Sequence, residues 1–437
     1  MLLPYFCGSA HWPLQCFFCL FFIQLERNDV VRLQHSRKLS FQHHRTSAVR
    51  TAGRSSRFLT SIFIGLSLGS GAMFSICRGR KDEPALRSSI FHAFFLIMGI
   101  TLLLNLCVYL FLDPILHMLQ VPISVQSGMR SYLLIIFAGL MASALYNFFA
   151  CMLRALGNST IPFLFLALSS LLNIALDLLF VAGFSWGISG AALATIIAQY
   201  LSAISITGYV LLRCRSVLPS RRELRFSRSI LQSILRLSSM TCIQQSVMNF
   251  GILMVQGLVN SFGPTIMAAF AAAVKIDTFA YLPVQDFGNA YSTFIAQNYG
   301  AQNSERIRRG TRKAFLLAIC FCLVISAAVV LFAAPLMQIF VSAKEPAIIA
   351  AGVRYLQIEG ACYCGIGCLF LFYGYYRAID RADMSVVLTV ISLGLRVALA
   401  YLLSPYLGPA GIWLAIPIGW LLADITGLFG MRIHAKS

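Results

Sequence analysis

The sequence has too few charged residues for a soluble globular protein of its length. Only 11% of its 437 residues are Asp, Glu, Lys or Arg, whereas soluble domains carry roughly 25%. Hydrophobic residues make up 59% of the chain, and the mean hydropathy is +0.79. Long apolar segments of this kind cross bilayers as helices, because a helix satisfies its own backbone hydrogen bonds. The composition therefore predicts an all-α polytopic membrane protein.

The sequence also lacks the short motifs that would indicate an enzyme. There is no GxxxxGK[ST] phosphate loop, and no HExxH, GxSxG or paired-carboxylate pattern in a plausible context. The 13 cysteines lie mostly in apolar runs without a paired CxxC framework, which is typical of small buried hydrophobic residues. We therefore expect no enzymatic activity, no metal site and no cofactor beyond a coupling ion.

Acidic residues are the scarcest charged class, at 15 against 34 Lys and Arg, for a formal net charge of +19. We do not interpret this excess as nucleic-acid binding, because beyond residue 58 the arginines lie mostly in short loops between apolar segments. Cytoplasmic loops of membrane proteins concentrate basic residues in this way. The alternate loops contain almost no Lys or Arg, so we expect the basic loops and the C-terminus to be cytoplasmic, in a multi-pass protein of the plasma membrane.

Eleven apolar segments are long enough to span a bilayer, which takes about 20 residues. They are 58–77, 89–112, 130–153, 161–184 and 187–212 in the first half, and 235–262, 266–295, 311–334, 349–377, 384–403 and 411–432 in the second. We predict an N-lobe bundle over 58–212, a basic cytoplasmic linker over 213–228 and a C-lobe bundle over 229–437. The chain is expected to act as a monomer in the lipid bilayer.

The two halves repeat each other. Gly79 and Gly300 are 221 residues apart, as are Pro114 and Pro335, and the Arg-Ala pairs at 154–155 and 377–378 differ by 223. Internal repeats are common in secondary transporters, which place their binding sites at the repeat interface. Two six-helix halves of identical orientation would be related by a pseudo-two-fold axis along the membrane normal.

The first 57 residues do not fit this repeat. Subtracting 221 from the apolar segment 230–262 gives 9–41, which shows no similarity to it. We therefore expect that the first helix of the first lobe is missing, as a shifted reading frame or a wrong start codon would produce. We also expect 1–57 to lie outside the fold, with an irregular backbone over 25–56.

Polar residues inside the apolar segments need a reason, because a charge at the centre of a membrane helix costs about 2.5–3.5 kcal/mol. Glu359 lies roughly a third of the way into its span, and its repeat mate is Ile136, so duplication does not require the acid. Asn173 and Asp177 are four residues apart and share a helix face. The repeat mate of Asn173 is Arg396. Each is a candidate for substrate or ion binding, with hydrogen bonding between helices as the structural alternative.

Two further groups of candidates lie in the first two spans of the second half. Lys275 and Asp277 are two residues apart and do not share a face, although we expect the lysine to offset the charge of the acid. Beyond the helix-bending Pro283 stand Gln285 and Asp286. The other group is the amide patch of Gln244, Gln245 and Asn249. Amides in membrane helices usually hold helices together, but their clustering makes them candidates for the site.

Two stretches resemble the multidrug and toxic compound extrusion (MATE) family. Residues 154–203, which begin RALGNSTIP, are similar to its fifth and sixth helices, and 268–310, which end AQNSERIRRG, to its eighth helix and following loop. The resemblance implies twelve helices in two six-helix lobes and export of cationic, often aromatic compounds in exchange for protons or sodium. The acid that many members carry on the first helix has no counterpart in 1–57. Other branches carry a key glutamate on the seventh helix, and in this sequence Gln244 and Gln245 stand near its place. Glu359 falls on the tenth helix, where some members carry an ion-binding acid.

Three functions remain open at this point. The first is cation-coupled export of cationic compounds by alternating access, with Glu359 as the main coupling acid and Asp177 as the candidate of the first lobe. The second is a flippase for lipid-linked saccharides, which should line its cavity with several basic residues. Lys275 and Arg396 are the only clear cations within the spans. The third is an inactive, truncated transporter.

Overall fold

The computed structural model describes residues 39–114, 123–219 and 226–434, and every regular element in these ranges is a helix. In the first half, the helices are α1 (Leu39–Arg80), α2 (Glu83–Leu110), α3 (Ile123–Ala138), α4 (Leu140–Ala155), α5 (Thr160–Asp177) and α6 (Gly187–Arg213). A π-helical turn, Leu178–Gly183, follows α5, and a short 3-10 turn, Arg215–Val217, follows α6.

The second half continues the same pattern with eight helices. They are α7 (Arg228–Asn260), α8 (Pro264–Gly300), α9 (Ser304–Leu331), α10 (Ala333–Phe340), α11 (Pro346–Gly360), α12 (Tyr363–Ala378), α13 (Ala382–Leu407) and α14 (Pro409–His434). The span predicted over 349–377 is broken, because α11 and α12 meet at a bend of 51°.

The helices confirm the predicted fold class of an all-α polytopic membrane protein. Within the described residues, ten helices are long and apolar enough to cross a membrane, and the bent pair α11–α12 raises the number to 11. All the spans read from the sequence have a counterpart among them. The apolar faces of these helices point outward as well as inward, as expected for a protein surrounded by lipid.

The helix ends follow the repeat closely. Helix α2 covers Glu83–Leu110 and α9 covers Ser304–Leu331, so both ends are 221 residues apart. The α3–α4 pair runs from Ile123 to Ala155 and the α11–α12 pair from Pro346 to Ala378, an offset of 223 at both ends. The two halves therefore share their helix boundaries, although few of their side chains are identical.

The loops that precede α2 and α9 share their backbone geometry as well. Lys81 and Gln302 both adopt left-handed backbone, at φ 59° and 54°. Asp82 and Asn303 follow them, and each side chain caps its helix by accepting the backbone N–H three residues later at 3.0 Å. Such caps satisfy amides that the first turn leaves unpaired. The same local chemistry therefore starts the corresponding helix in each half.

The backbone of residues 39–56 differs from the prediction. An irregular backbone was expected over 25–56, but α1 starts at Leu39, so this expectation is wrong for 39–56. The remainder, within 1–38, lies outside the described residues. No proline interrupts the stretch from Leu39 to Arg80, and a helix needs no apolar sequence to continue. Helix α1 is thus the repeat partner of α8, whose end at Gly300 matches Gly79.

The helices form two compact units. Among the described residues, one contains 39–74 and 82–238, and the other contains Ser75–Lys81 and 239–434. The division falls inside α7. In the second unit, Trp413, Tyr291, Tyr355 and Tyr376 are among the largest fully buried side chains.

His92 connects α2 with the start of α7 inside the first of these units. Its Nδ1 lies 2.8 Å from the carbonyl of Ser88, and its Nε2 lies 3.0 Å from the backbone nitrogen of Ser227. The imidazole ring therefore donates through Nδ1 and accepts through Nε2. Its ring also packs against Phe226, which directly precedes Ser227. These contacts attach the end of the basic linker to the helix bundle.

Gly79 and Gly300 make reciprocal contacts that allow helix backbones to approach closely in the second unit. A Cβ atom on Gly79 would collide with the backbone oxygen of Gln297, and one on Gly300 would collide with that of Ile76. Close approach through small residues is typical of membrane helices.

We predict that Gly79→Ala and Gly300→Ala each lower the free energy of unfolding by about 1–3 kcal/mol, because the backbone oxygen opposite must move. Gly99→Ala is the matched control, since a Cβ at Gly99 meets no atom within 4 Å. Thermal unfolding of the purified protein in detergent tests this. Equal unfolding temperatures for all three variants would contradict the close contact.

Candidate functional site

Two acidic side chains come together inside the second unit. Asp277 lies in the middle of α8 and is 6% exposed, and Glu359 lies in the last turn of α11 and is 2% exposed. Their carboxyl groups face each other across the helix interface. The two residues are far apart in the sequence, and packing of α11 against α8 brings them together. We name them the acid pair.

The helix break after Glu359 shapes this site. The backbone carbonyl of Glu359 accepts a hydrogen bond from the amide of Cys362 at 3.0 Å, which closes α11 before α12 begins at Tyr363. Tyr355, one turn before Glu359, and Tyr363, just after the break, both direct their phenol groups towards the acid pair. The break therefore lets residues on two short helices face one carboxyl pair.

Arg396 on α13 supplies the positive charge beside the acid pair, and its guanidinium attracts both carboxyl groups electrostatically. The expectation that Lys275 offsets Asp277 is not what the structure shows. The Lys275 side chain is exposed, with its ammonium 5.9 Å from the centre of the Phe340 ring, and it is not among the charges that act on Asp277. Two residues along a helix rotate the side chain to nearly the opposite side. The repeat mate of Asn173, and not the neighbouring lysine, is thus the partner of the acids.

Several polar atoms of the cluster are left without a hydrogen-bond partner. Oδ1 of Asp277, Oε2 of Glu359, Oη of Tyr363 and Nε of Arg396 are all buried and have no hydrogen-bond partner among the described residues. Leaving such a group unpaired costs about 1–3 kcal/mol, and more when it is charged. Two carboxylates this close repel each other unless they share a proton or a cation. The arrangement can therefore take up and release one small positive charge.

The other candidates on α7 and α8 lie outside this cluster. Gln244 is 2% exposed with its Oε1 unpaired among the described residues. Its neighbour Gln245 is half-buried, and the side chain of Asn249 donates to the backbone carbonyl of Gln245 at 3.1 Å. Further along α8, Gln285 is half-buried and Asp286 is exposed. One member of the amide patch, Asn249, is thus already hydrogen-bonded within α7.

Asn173 and Asp177 belong to the first unit, at the end of α5. Both are half-buried, and Nδ2 of Asn173 and Oδ1 of Asp177 are buried atoms without a partner in the part of the chain that the structure describes. The π-helical turn that follows widens the helix directly after Asp177. These two residues form a smaller polar site that carries one acid and no second carboxyl.

Sequence reasoning missed the two tyrosines of the cluster and a further acid, the half-buried Asp424 on α14. A signal for the tyrosines was present, since Tyr355, Glu359 and Tyr363 follow each other at intervals of four residues and would share one helix face. Asp424 was overlooked although the criterion that marked Glu359 applies to it as well, since it is a charged residue inside the apolar span predicted over 411–432.

Comparison with known proteins gives a consistent result. The MatE family model matches residues 40–179 and 238–402. The "Probable multidrug resistance protein YpnP" of Bacillus subtilis is 30% identical over 373 residues, which is 85% of this chain and 83% of that protein. The "FAD transporter" of Shewanella oneidensis is 23% identical, over 84% of this chain and 82% of its own length.

Solved structures show the same fold. The outward-facing conformation of a multidrug resistance MATE family transporter of the MOP superfamily superposes with a TM-score of 0.86 at 21% identity, covering 99% of this chain and 96% of that one. A MOP superfamily transporter from Pyrococcus furiosus gives a TM-score of 0.84 at 20% identity, covering 98% and 96%.

A pair of tyrosines tests whether the cluster is held together by hydrogen bonds. The Tyr363 hydroxyl has no partner among the described residues, whereas that of Tyr376 donates to the carbonyl of Gly427 at 2.7 Å. We predict that Tyr363→Phe changes the free energy of unfolding by less than about 0.5 kcal/mol and that Tyr376→Phe lowers it by about 1 kcal/mol. Thermal unfolding of both variants measures this. A larger loss for Tyr363→Phe would show that its hydroxyl is bonded in the folded protein.

Proposed function

The chain belongs to the MatE family of membrane transporters, and from that premise we propose that it exports cationic, aromatic compounds in exchange for protons or sodium ions. In this proposal the protein works in the plasma membrane as a monomer with its C-terminus in the cytoplasm. It alternates between inward-open and outward-open states and needs no cofactor besides the coupling ion.

The acid pair with Arg396 is the observation that carries this proposal. Two carboxylates and one guanidinium leave one negative charge in excess, and one proton on either carboxyl brings the cluster to neutrality. A buried net charge is unfavourable in an apolar bundle. Release of the proton therefore favours entry of another positive charge. A sodium ion or an organic cation meets that requirement, and this competition is the physical basis of exchange.

The available energy is sufficient for useful export. Exchange of one proton for one monovalent cation moves no net charge, so the membrane potential does not contribute. Each pH unit across the membrane then supplies about 1.4 kcal/mol, which sustains roughly a tenfold gradient of the compound. Exchange of two protons for one such cation would move one net charge and add about 2.3 kcal/mol per 100 mV.

The surroundings of Arg396 favour cationic over anionic cargo. A transporter of pyrophosphate-linked saccharides needs several accessible basic groups, because phosphates bind best to clustered Arg and Lys. Here the guanidinium faces two carboxyls, and Lys275 points to the Phe340 ring. With one proton bound the cluster is neutral, so in that state it does not attract an anionic headgroup. We therefore place the flippase function second.

Glu359→Gln tests the proposal. The amide keeps the size of the side chain but holds no exchangeable proton, so we expect loss of gradient-driven ethidium efflux with normal insertion and unfolding temperature. Proteoliposomes with an imposed pH or sodium gradient provide the measurement. Glu305→Gln is the matched control, since Glu305 is an exposed residue that pairs with Arg309 at 2.5 Å in the first turn of α9. Efflux by Glu359→Gln at the parent rate would refute the assignment, and no efflux by the parent under either gradient would refute cation-coupled export.

A further inference from the structure

Asp424 is a carboxyl that the exchange described so far does not use. It is a half-buried residue of α14, 15 residues after the helix starts at Pro409, and its side chain lies beside α12. Its Oδ1 is buried without a hydrogen-bond partner among the described residues, and none of their Lys or Arg side chains forms an ion pair with it. An ionised carboxyl is unfavourable in such a place, so the Asp424 carboxylate readily accepts a proton.

The neighbours of Asp424 are polar but uncharged. Cys368 and Tyr373 on α12 are the titratable groups that face it. Its own helix contributes Trp420, one turn earlier, and the glycine at 365 on α12 leaves space beside its Oδ2, since a Cβ there would lie 3.8 Å away. One carboxyl with a thiol and a phenol offers too few oxygen ligands for a metal cation, and no group of three metal ligands exists among the described residues. A proton is therefore the cation that fits this position.

A polar face of α13 runs between Asp424 and the acid pair. Ser385, Thr389, Ser392 and Arg396 follow each other at intervals of four, three and four residues, so they lie on one side of the helix. The exposure of the three hydroxyl residues is 1%, 0% and 3%, so this face is turned into the protein. Packing between helices does not by itself require these hydroxyl groups, because apolar side chains would fill the same space equally well.

The two ends of this face reach the two acidic sites. Arg396 acts on the acid pair. Two turns before Arg396 in α13, the side chain of Thr389 is in contact with the hydroxyl of Tyr373, which faces Asp424. Thr389 and Arg396 are seven residues apart, or about 10 Å along the helix axis. Between them, the backbone of Ser392 packs on Gly419 of α14, so no bulky side chain separates the two helices at that level.

We propose that Asp424 is a second proton-binding site of this unit, connected with the acid pair by the polar face of α13. The inference rests on the proposed exchange and adds its route within the protein. A proton that leaves the acid pair is accepted by the Asp424 carboxylate. The hydroxyls of Ser392, Thr389 and Tyr373 each receive one proton and give up their own, so no charge accumulates on the way. Steps of about one helical turn require hydroxyl rotation or one bridging water. Arg396 keeps its proton and positions the route.

Proton release from the purified protein tests this without any transport assay. The full chain in weakly buffered detergent is shifted from acidic to alkaline pH, and an indicator dye counts the released protons. Infrared difference spectra follow the carbonyl band of protonated carboxyl groups in the same step. We expect Asp424→Asn to lose one released proton per chain and its part of the band, and Asp424→Glu to retain both. An unchanged proton count and band in Asp424→Asn would overturn the proposal.

The connection is tested by a variant that keeps every carboxyl. Thr389→Val combined with Ser392→Ala removes two hydroxyls of the α13 face, so we expect the same number of released protons at a slower rate in stopped-flow measurements. Thr426→Val is the matched control, because the Thr426 hydroxyl, like that of Thr389, donates to a carbonyl of its own helix but does not belong to the α13 face. Release at the parent rate by the double variant would refute the connection.

The same measurements separate this inference from the proposed function. If the parent moves no ethidium under either gradient but Asp424→Asn still loses one proton, export is wrong and the second proton site stands. If the parent exports ethidium and Asp424→Asn releases the full number of protons, export stands and the second site is wrong.

Discussion

The cost of placing charge in an apolar helix bundle governs this protein. A charged group at the centre of a membrane helix costs about 2.5–3.5 kcal/mol on insertion scales. That cost is reduced only if opposite charges meet, so Asp277, Glu359 and Arg396 are gathered from three helices into one cluster. The break between α11 and α12 serves the same requirement, since it turns Tyr363 towards the carboxyls. The cluster is neutral only with one added positive charge. The cost of buried charge therefore explains both why these side chains are gathered and why they would exchange one cation for another.

The two halves share their helix boundaries, but only the second half carries the acid pair, and these two facts are consistent with each other. Helix ends depend on local features, such as the caps at Asp82 and Asn303, and on the thickness of the bilayer. Both act equally on the two halves, so the helix boundaries have stayed in register. The side chains between the ends are under no such constraint, and Glu359 has Ile136 as its mate. One half could therefore acquire an acid pair while the other kept a smaller polar site.

Much of the fold and part of the site could be predicted from the sequence. Apolar length identifies the spans, residue offsets identify the repeat, and the loop arginines predict the orientation. Glu359, Asp277 and Arg396 were marked because charge is rare in apolar segments. The pairing of Lys275 with Asp277 was wrong, because helix rotation separates side chains that are neighbours in sequence. The irregular backbone expected over 39–56 was wrong, because a helix can extend beyond its apolar part. The membership of Tyr355 and Tyr363 in the site was missed, since tyrosine is ordinary in a membrane protein.

The sequence by itself determined the class of protein, the number and approximate limits of the spans, and the duplication. These properties depend on local hydrophobicity and on spacing along one chain, and both can be read without knowing which helices are neighbours. Only the tertiary structure decided which polar residues meet. A helix period shows which residues share a face, but not which other helix packs against that face. The acid pair, its arginine and the polar face that leads to Asp424 all depend on the packing of α8, α11, α12, α13 and α14 in the second unit.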